Sequence, residues 1–230
     1  MKNPTQTYVI LSEQTRNKNI VNNLSKIKKN FSWILIDKRK DFNLDYLKSI
    51  KPDVIFIPHW SYIIPKDIYE KFECIVFHMT DLPFGRGGSP LQNLIVLGKE
   101  KTKISALRVV KELDAGPIYL KEDLSLQGTA EEILMRANSI IELMIIELID
   151  KDIEPIEQQG DVVHFKRRTP KESDMSGLKQ IKDIYNYIRM LDAKGYPNAF
   201  IENEYFKFEF SKASINASGE IQSEVRIIKK

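Results

Sequence analysis

The sequence predicts an α/β protein in which a doubly wound parallel sheet is followed by a small unit rich in antiparallel strands. In the first half, short and nearly continuous apolar runs alternate with segments of helical periodicity, as in a parallel sheet covered on both faces. In the last third, apolar and polar residues alternate singly, as in antiparallel strands with one exposed face. We therefore expect a main domain over residues 1–150 and a small C-terminal subdomain over residues 151–230.

Four apolar runs predict the strands of the parallel sheet. They are TYVILS (7–12), FSWILID (31–37), PDVIFIP (52–58) and ECIVFH (73–78). Helical spacing occurs between them, at Ile20, Leu24 and Ile27 and in the segments LDYLKSI and KDIYEKF. This alternation is the pattern expected of successive strands and covering helices.

The next segment predicts two helices that flank two strands. SPLQNLIVLGKE is expected to be helical, with Ser89 as its N-cap and Pro90 at its first position. KISALRVVKEL and GPIYLKEDLSL read as strands joined by a turn at DAG. The long apolar pattern that ends at Ile149 begins with a capping box, Thr129 and Glu132, and is expected to close the domain.

The C-terminal subdomain has a different texture. The segment DVVHFKRRTPKESD is polar and basic, and IKDIYNYIRML predicts a short helix. AFIENEYFKFEFSKASIN and EIQSEVRII then alternate like a hairpin or a small antiparallel sheet.

Composition narrows the classes of protein to which the chain can belong. The 35 basic and 32 acidic residues are spread along the chain, which disfavours a nucleic-acid partner. The single cysteine and the shortness of the apolar runs predict a cytoplasmic protein with no membrane partner. The expected assembly is a monomer or a homodimer, and the sequence does not decide between them. The three histidines, at positions 59, 78 and 164, do not have the spacing of a metal site.

His78 and Asp114 are the residues most suited to carry chemistry. His78 ends the fourth predicted strand, where open α/β sheets bind ligands, although a histidine packed under a loop fits the same position. Asp114 lies in the turn between two later strands and is either an ordinary turn residue or the partner of His78. A carboxylate beside an imidazole determines which ring nitrogen carries the proton and stabilises the charged ring.

Two segments carry a resemblance to a known family. FHMTDLPFGRGGSPL (77–91) followed by LDAGPIYL (113–120) resembles the folate-dependent formyltransferases, and PDVIFIPHWSYIIPKDIY (52–69) is similar to the family segment that precedes the active-site strand. The family pattern is Asn-x-His-x-Ser-x-Leu-Pro, a glycine loop and a later Leu-Asp-x-Gly. The resemblance implies a Rossmann-like formyltransferase core with 10-formyltetrahydrofolate as the formyl donor.

The resemblance also implies roles for individual residues. His78 and Asp114 match the family's catalytic histidine and aspartate, but Val76 stands where the family has an asparagine that donates to the oxyanion. The loss of one such donor typically costs on the order of 3 kcal/mol of transition-state stabilisation. Thr80, a backbone N–H of the glycine loop or a water molecule are the candidate replacements. The expected folate-binding residues are Trp60, Tyr62, Ile63, Pro83, Gly85, Arg86, Gly87 and Gly88.

The predicted formyl acceptor is a nucleotide-linked amino sugar. LSEQTRNKN (11–19) lacks the glycines of a phosphate loop, which disfavours a glycinamide ribonucleotide acceptor. HFKRRTPKESD and GYPNAFI resemble sugar N-formyltransferases, in particular those of bacterial pseudaminic acid and surface glycan pathways, and imply that Arg167, Arg168 and Tyr196 bind the sugar nucleotide. The implied acceptor is a UDP-linked 4-amino-4,6-dideoxy-N-acetylhexosamine, with dTDP sugars left open. A methionyl-tRNA formyltransferase-like enzyme and a silent folate- and nucleotide-binding module are the alternatives.

Overall fold

The computed structural model describes residues 6–13 and 18–230, which form two compact units. The first unit contains the residues up to Arg86 together with Lys103–Asp123 and Met135–Val163. The second contains Gly87–Thr102, Leu124–Leu134 and His164–Lys230. Each unit is therefore assembled from separate stretches of chain, and the boundary after residue 150 stays a prediction. Residues 14–17 of the glycine-free segment lie outside the described residues.

A six-stranded sheet is the centre of the fold. Its strands are β1 (Thr7–Ser12), β2 (Ser32–Ile36), β3 (Val54–His59), β4 (Glu73–His78), β6 (Lys101–Arg108) and β7 (Ile118–Ser125), and they lie in the order β2-β1-β3-β4-β6-β7. The first four are parallel, and β6 runs antiparallel to β4 with His78 opposite Ser105. The predicted α/β class is confirmed, and the reversed β6 brings the end of β4 next to a second, later segment of chain.

Apolar side chains from the strands and helices form the core of the first unit. The helices are α1 (Lys18–Ile27), α2 (Leu44–Ile50), the single turn α3 (Lys66–Tyr69) and α5 (Ala130–Asp150), which belongs to this unit from Met135 onward. Val9 and Leu11 of β1 pack with Ile55 and Ile57 of β3, and the thiol of Cys74 is buried in the same cluster. Burial raises the pKa of Cys74 to about 12.

The capping box predicted before α5 is present. The Thr129 N–H donates to Glu132 Oε2 at 2.8 Å, and the Glu132 N–H donates to Thr129 Oγ1 at 3.3 Å. These two bonds satisfy backbone donors that have no partner within the helix.

The second unit contains a three-stranded antiparallel sheet, as the alternating pattern predicts. Its strands β9 (Ala199–Glu202), β10 (Phe206–Ile215) and β11 (Ile221–Lys229) lie in the order β11-β10-β9. Helix α6 (Ile181–Leu191) packs against β10 and against α4 (Pro90–Val96). The two remaining strands, β5 (Phe84–Gly87) and β8 (Val163–Phe165), pair with each other.

Over the described residues, no helix has the length and apolar character needed to cross a bilayer.

The Ser89 cap of α4 differs from the prediction. Ser89 stands at the N-cap position with a φ of 51°, and its side chain makes no bond to the helix. Its Oγ accepts instead from the Arg168 N–H at 3.0 Å. The serine therefore ties the start of α4 to the segment after β8.

Candidate active site

His78 is the last residue of β4, and its ring is buried. Its Nε2 lies 2.8 Å from the carbonyl oxygen of Gly85. A carbonyl can only accept, so Nε2 carries a hydrogen and donates it. In the neutral ring this leaves Nδ1 as an acceptor.

Asp114 lies next to the other ring nitrogen. Its Oδ2 is 3.6 Å from His78 Nδ1, and both side chains are 9% exposed. The residue has a φ of 53°, a left-handed conformation that aspartate tolerates better than most residues. Two acceptors at this separation suit a ligand with two N–H donors, such as a primary amine, and are also suited to receiving and holding a proton.

Gly116 closes the turn that carries Asp114. A Cβ at this position would meet the carbonyl oxygen of Arg108 in β6, so only glycine permits this approach. The Arg108 N–H donates to Pro117 O at 3.0 Å beside it. The turn is therefore held against the end of β6.

Gln158 joins the site from the segment after α5 and was not predicted from the sequence. Its Oε1 accepts from Arg86 Nε at 3.1 Å and from Arg86 Nη2 at 2.7 Å. Its Nε2 donates to the carbonyls of Asp114 and Gly116, at 2.8 Å each. No local pattern marks this glutamine, because its partners are 42 to 72 residues away along the chain.

The loop after His78 is fixed by hydrogen bonds, of which those of Ser105 are buried. Ser105 Oγ donates to Thr80 O at 2.7 Å and accepts from the Leu82 N–H at 3.4 Å. Lys121 Nζ donates to Asp81 Oδ1 and to Leu82 O, both at 2.5 Å. The peptide bond between Leu82 and Pro83 is cis. The sharp exit predicted from Leu-Pro is therefore a turn braced by β6 and β7.

Thr80 does not have the environment expected of a replacement oxyanion donor. Its side chain is fully buried, and its hydroxyl donates to Gly85 O at 3.3 Å, the same carbonyl that accepts from His78. The hydroxyl therefore helps to hold the loop beside the ring, and its predicted catalytic role stays a prediction.

Val76 lies two residues before His78 and on the same face of β4, because side chains alternate along a strand. It is partly buried and packs against the apolar cluster that contains Cys74. The position at which the family places an asparagine is thus part of the apolar wall that leads from the core to His78.

The expected folate-binding residues at the end of β3 form an aromatic group. The centre of the Trp60 ring lies 5.4 Å from that of the Tyr62 ring and 5.7 Å from that of the Phe42 ring, and both pairs of rings meet edge-on. The Arg39 guanidinium lies 4.3 Å from the centre of the Tyr62 ring. Tyr62 and Ile63 are exposed. Trp60 is therefore partly core, and the two residues after Ser61 provide accessible apolar surface.

The glycine segment is an ordered strand rather than an open loop. A Cβ at Gly87 would meet the Phe165 carbonyl, and one at Gly88 would meet Arg167 Cα and Cβ. The Gly88 N–H donates to Phe165 O at 3.2 Å. These two glycines thus allow another part of the chain to approach closely, which differs from the approach of a ligand expected from the sequence.

The first unit contains the other residues expected to bind folate in this segment, Pro83, Gly85 and Arg86, together with His78 and Asp114.

Arg167, Arg168 and Tyr196 belong to the second unit. Arg168 Nη2 donates to Glu172 O at 2.6 Å, and its guanidinium lies 5.4 Å from the centre of the Tyr187 ring. Arg167 is exposed, and Tyr196 is half-buried in the turn after α6, where its N–H donates to Ala193 O at 3.1 Å. The guanidinium of Arg168 therefore makes its contacts within its own unit, which leaves it less available to bind a diphosphate.

For the described residues, no group of three or more His, Cys, Asp or Glu side chains is arranged to hold a metal ion.

Comparison with known proteins gives a consistent family. The sequence model described as "Formyl transferase" matches residues 6–139, and that of the methionyl-tRNA formyltransferase C-terminal domain matches residues 170–228. A solved structure named methionyl-tRNA formyltransferase from Clostridium thermocellum is 46% identical with a TM-score of 0.95, and the alignment covers 98% of this chain and all of that one.

Two further proteins delimit the similarity. The curated methionyl-tRNA formyltransferase of Thermotoga maritima is 31% identical over 188 residues, or 77% of this chain, and the match covers 59% of that protein's length. A sugar N-formyltransferase from a Shewanella species has a TM-score of 0.68 at 13% identity, covers 95% of this chain and 96% of its own, and shares the fold alone.

These findings correct two predictions. The nucleotide-linked amino sugar is wrong as the predicted acceptor, because the relatives at 46% and 31% identity are named for methionyl-tRNA, whereas the sugar enzyme is distant. The exclusion of a nucleic-acid partner is wrong for the same reason. That exclusion was based on the spread of basic and acidic residues along the chain, and composition does not determine the specific contacts through which a partner is recognised.

The prediction that the protein is a formyltransferase has broader support than the prediction of its formyl acceptor. The matched residues 6–139 include β4, His78 and Asp114, and they make up more than half of the chain. The chain belongs to the formyl transferase family.

Proposed function

We propose that this protein transfers the formyl group of 10-formyltetrahydrofolate to the amino group of methionyl-tRNA. One observation carries the proposal: His78 Nδ1 and Asp114 Oδ2 lie 3.6 Å apart in a buried site at the carboxyl end of β4. Ligands of open α/β sheets bind at this end of the strands.

The reaction sets the demands on the residues. The amine nitrogen forms a bond to the formyl carbon, the bond from that carbon to the folate nitrogen breaks, and one proton passes from the amine to the folate nitrogen. An amine seated between His78 and Asp114 donates to Nδ1 and Oδ2, and His78 takes the proton at Nδ1. The neighbouring carboxylate of Asp114 stabilises the imidazolium that results. Gly85 O meanwhile holds the ring by accepting from Nε2.

The residues near the end of β3 are suited to the pterin of the formyl donor. Trp60 is held by Phe42, and Tyr62 and Ile63 expose apolar surface beside it. Most pockets for planar ligands combine such surfaces with a few polar groups. Pro83, Gly85 and Arg86 are proposed to border the same site from the β4 side.

Support for the tRNA acceptor comes from the names of the relatives and from the C-terminal match. Two relatives above 30% identity are named methionyl-tRNA formyltransferases, and the model of that enzyme's C-terminal domain matches residues 170–228. These residues cover α6 and the sheet of β9, β10 and β11. The chain spans 59% of the length of the Thermotoga maritima enzyme, so its substrates are assigned here as a proposal.

The experiment is a formylation assay with defined substrates. Purified protein is incubated with 10-formyltetrahydrofolate and methionyl-tRNA, and the released amino acid is analysed by mass spectrometry for one added formyl group. We expect formyl-methionine from the parent and at least a 100-fold lower rate from His78→Ala and from Asp114→Asn. Lys166→Ala, at an exposed residue of the second unit, is the control for the handling of the variants.

Two results would contradict the proposal. Formylation at the parent rate by both His78→Ala and Asp114→Asn would remove the assigned roles. Binding of 10-formyltetrahydrofolate without transfer to methionyl-tRNA, by a folded parent, would remove the acceptor and favour the silent binding module.

A further inference from the structure

We propose that Gln158 is a positioning residue that fixes the positions of Asp114 and Arg86 relative to the ring of His78. The inference rests on the proposed function, since it assigns a supporting residue to the same site. All four residues belong to the first unit.

The contacts of Gln158 form a closed circuit around the site. His78 Nε2 donates to Gly85 O at 2.8 Å, and Gly85 precedes Arg86 in the chain. Arg86 donates twice to Gln158 Oε1, at 3.1 and 2.7 Å. Gln158 Nε2 donates to Asp114 O, and the Asp114 carboxylate faces His78 Nδ1. Each ring nitrogen of His78 is thus approached by a segment that Gln158 also binds.

The chemistry of the amide suits this position better than that of any other side chain of its size. Its carbonyl oxygen accepts both bonds from the guanidinium, while its two N–H groups match the two carbonyls of the Asp114 turn. The Nε2 atom donates to two separate carbonyls, Asp114 O and Gly116 O, at 2.8 Å each, and its NH₂ group has one hydrogen for each of them. A glutamate would keep the acceptor for Arg86 and lose both donated bonds.

The Asp114 turn requires such support. Asp114 adopts a φ of 53°, and the closeness of Gly116 to Arg108 O leaves no space for a Cβ. A left-handed residue persists when its surroundings hold it in place. Without Gln158, the turn loses two hydrogen bonds to its carbonyls, and the carboxylate loses its fixed distance from the ring.

The sequence next to Gln158 provides a matched control. Gln159 carries the same side chain but is exposed, whereas Gln158 is half-buried. Three variants therefore make the comparison. Gln158→Leu and Gln158→Glu interrupt the circuit of hydrogen bonds, and Gln159→Leu leaves it intact. Thermal unfolding of each variant establishes that it is folded before its other properties are compared.

The first measurement is kinetic, with 10-formyltetrahydrofolate and methionyl-tRNA. We expect Gln158→Leu to lower kcat at least tenfold and to change KM for either substrate by less than threefold. The reason is that His78 and Asp114, which would be displaced, act on the transfer of the amine proton. Gln158→Glu should lose at least as much, since the carboxylate repels the two carbonyls. Gln159→Leu should stay within twofold of the parent. A kcat within twofold of the parent in folded Gln158→Leu overturns the proposal.

The second measurement is independent of the reaction. The ring nitrogens of His78 are observed by NMR in protein labelled with 15N-histidine, with His78→Gln to assign the signals. We expect a protonated Nε2 in the parent and in Gln159→Leu, and a shifted Nδ1 signal with faster exchange of the Nε2 hydrogen in Gln158→Leu. Unchanged His78 signals in Gln158→Leu overturn the proposal. If the parent formylates nothing and Gln158→Leu still shows the shifted His78 signal, the positioning role is supported and the proposed function fails.

Discussion

Val76 connects the apolar core to the reacting end of β4. It lies on the His78 face of the strand and packs against the cluster around Cys74, so an amide at this position enters partly apolar surroundings. Burial of a polar group without a partner costs roughly 1–3 kcal/mol in proteins.

We expect Val76→Asn to lower the free energy of unfolding by about 1–2 kcal/mol, because the amide replaces a packed apolar side chain. Urea denaturation followed by circular dichroism measures this change, and Val76→Ile is the control that keeps the surface apolar. An unfolding midpoint equal to that of the parent would mean that the amide finds a partner in the site. A faster formyl transfer in the same variant would show that the amide donates to the oxyanion that forms on the formyl group.

Glu142 on α5 provides a prediction for pH. Burial raises the pKa of its carboxyl, and the hydrogen bond from Asn23 opposes this effect. The native state thus favours the neutral carboxyl, so the contribution of Glu142 to stability is greatest below the ordinary carboxyl range and is lost as the pH rises through the raised native pKa. We expect Glu142→Gln to unfold at a higher temperature than the parent at pH 7, with a smaller difference at pH 4.

The opposite variant checks the sign of this effect. Asn23→Ala removes the donor that stabilises the charged carboxylate, so its loss of stability should be larger at pH 7 than at pH 4. Equal losses at both pH values would assign the effect of Asn23 to packing alone. Thermal unfolding by calorimetry at the two pH values gives both comparisons.

Among single residues, those marked by local pattern could be predicted and those defined by distant partners could not. His78 and Asp114 were found because one ends an apolar strand and the other occupies a turn, and the structure places them 3.6 Å apart. Gln158 was missed because its role depends on Arg86, which lies 72 positions away. The two glycines after Arg86 were found, but their contacts are with Phe165 and Arg167, which no local pattern predicts.

At the scale of elements, α5 depends on a well-defined start. Thr129 and Glu132 exchange two bonds there, as the spacing of the two residues predicts. Helix ends that lose such a cap leave backbone N–H groups without a protein acceptor.

Thr129→Ala should reduce the free energy of unfolding by about 1 kcal/mol, which is typical for the loss of an N-cap side chain. Thr129→Ser retains the hydroxyl and should stay within about 0.5 kcal/mol of the parent. Urea unfolding of the three proteins makes the comparison. Equal losses in the alanine and serine variants would show that the methyl group, and not the hydroxyl, matters.

At the scale of the whole molecule, the second unit draws on three separate stretches of chain. Gln92 of α4 donates to Met190 O of α6 at 3.3 Å, and the Arg189 guanidinium donates to Leu126 O at 2.6 Å and to Gly128 O at 3.0 Å. Burial lowers the pKa of Arg189, and these neutral carbonyls take the place of water around it.

A fragment of residues 151–230 lacks α4 and the carbonyls of Leu126 and Gly128. We expect it not to fold alone, because the buried guanidinium of Arg189 and one face of α6 lose their partners. The test is the dispersion of amide signals in its NMR spectrum, with the full chain as the reference. A dispersed spectrum and cooperative unfolding of the fragment would support the boundary predicted after residue 150.

The α/β class and the small antiparallel sheet could be predicted because both depend on periodicity within single segments. The composition of the two units could not, because it depends on which segments meet after folding. The acceptor was predicted wrongly for a related reason: the prediction was based on two short C-terminal segments, HFKRRTPKESD and GYPNAFI, whereas recognition depends on specific contacts in the folded protein.

The burial of Cys74 has a consequence for the chemical reactivity of the chain. Its thiol lies in the core beside Ile55 and Ile57 and has a pKa of about 12, so it carries almost no thiolate at neutral pH. Alkylating reagents can then modify the folded protein only when the sheet opens. The rate at which this single thiol is labelled therefore records the opening of β4, the strand that ends in His78, without any added probe.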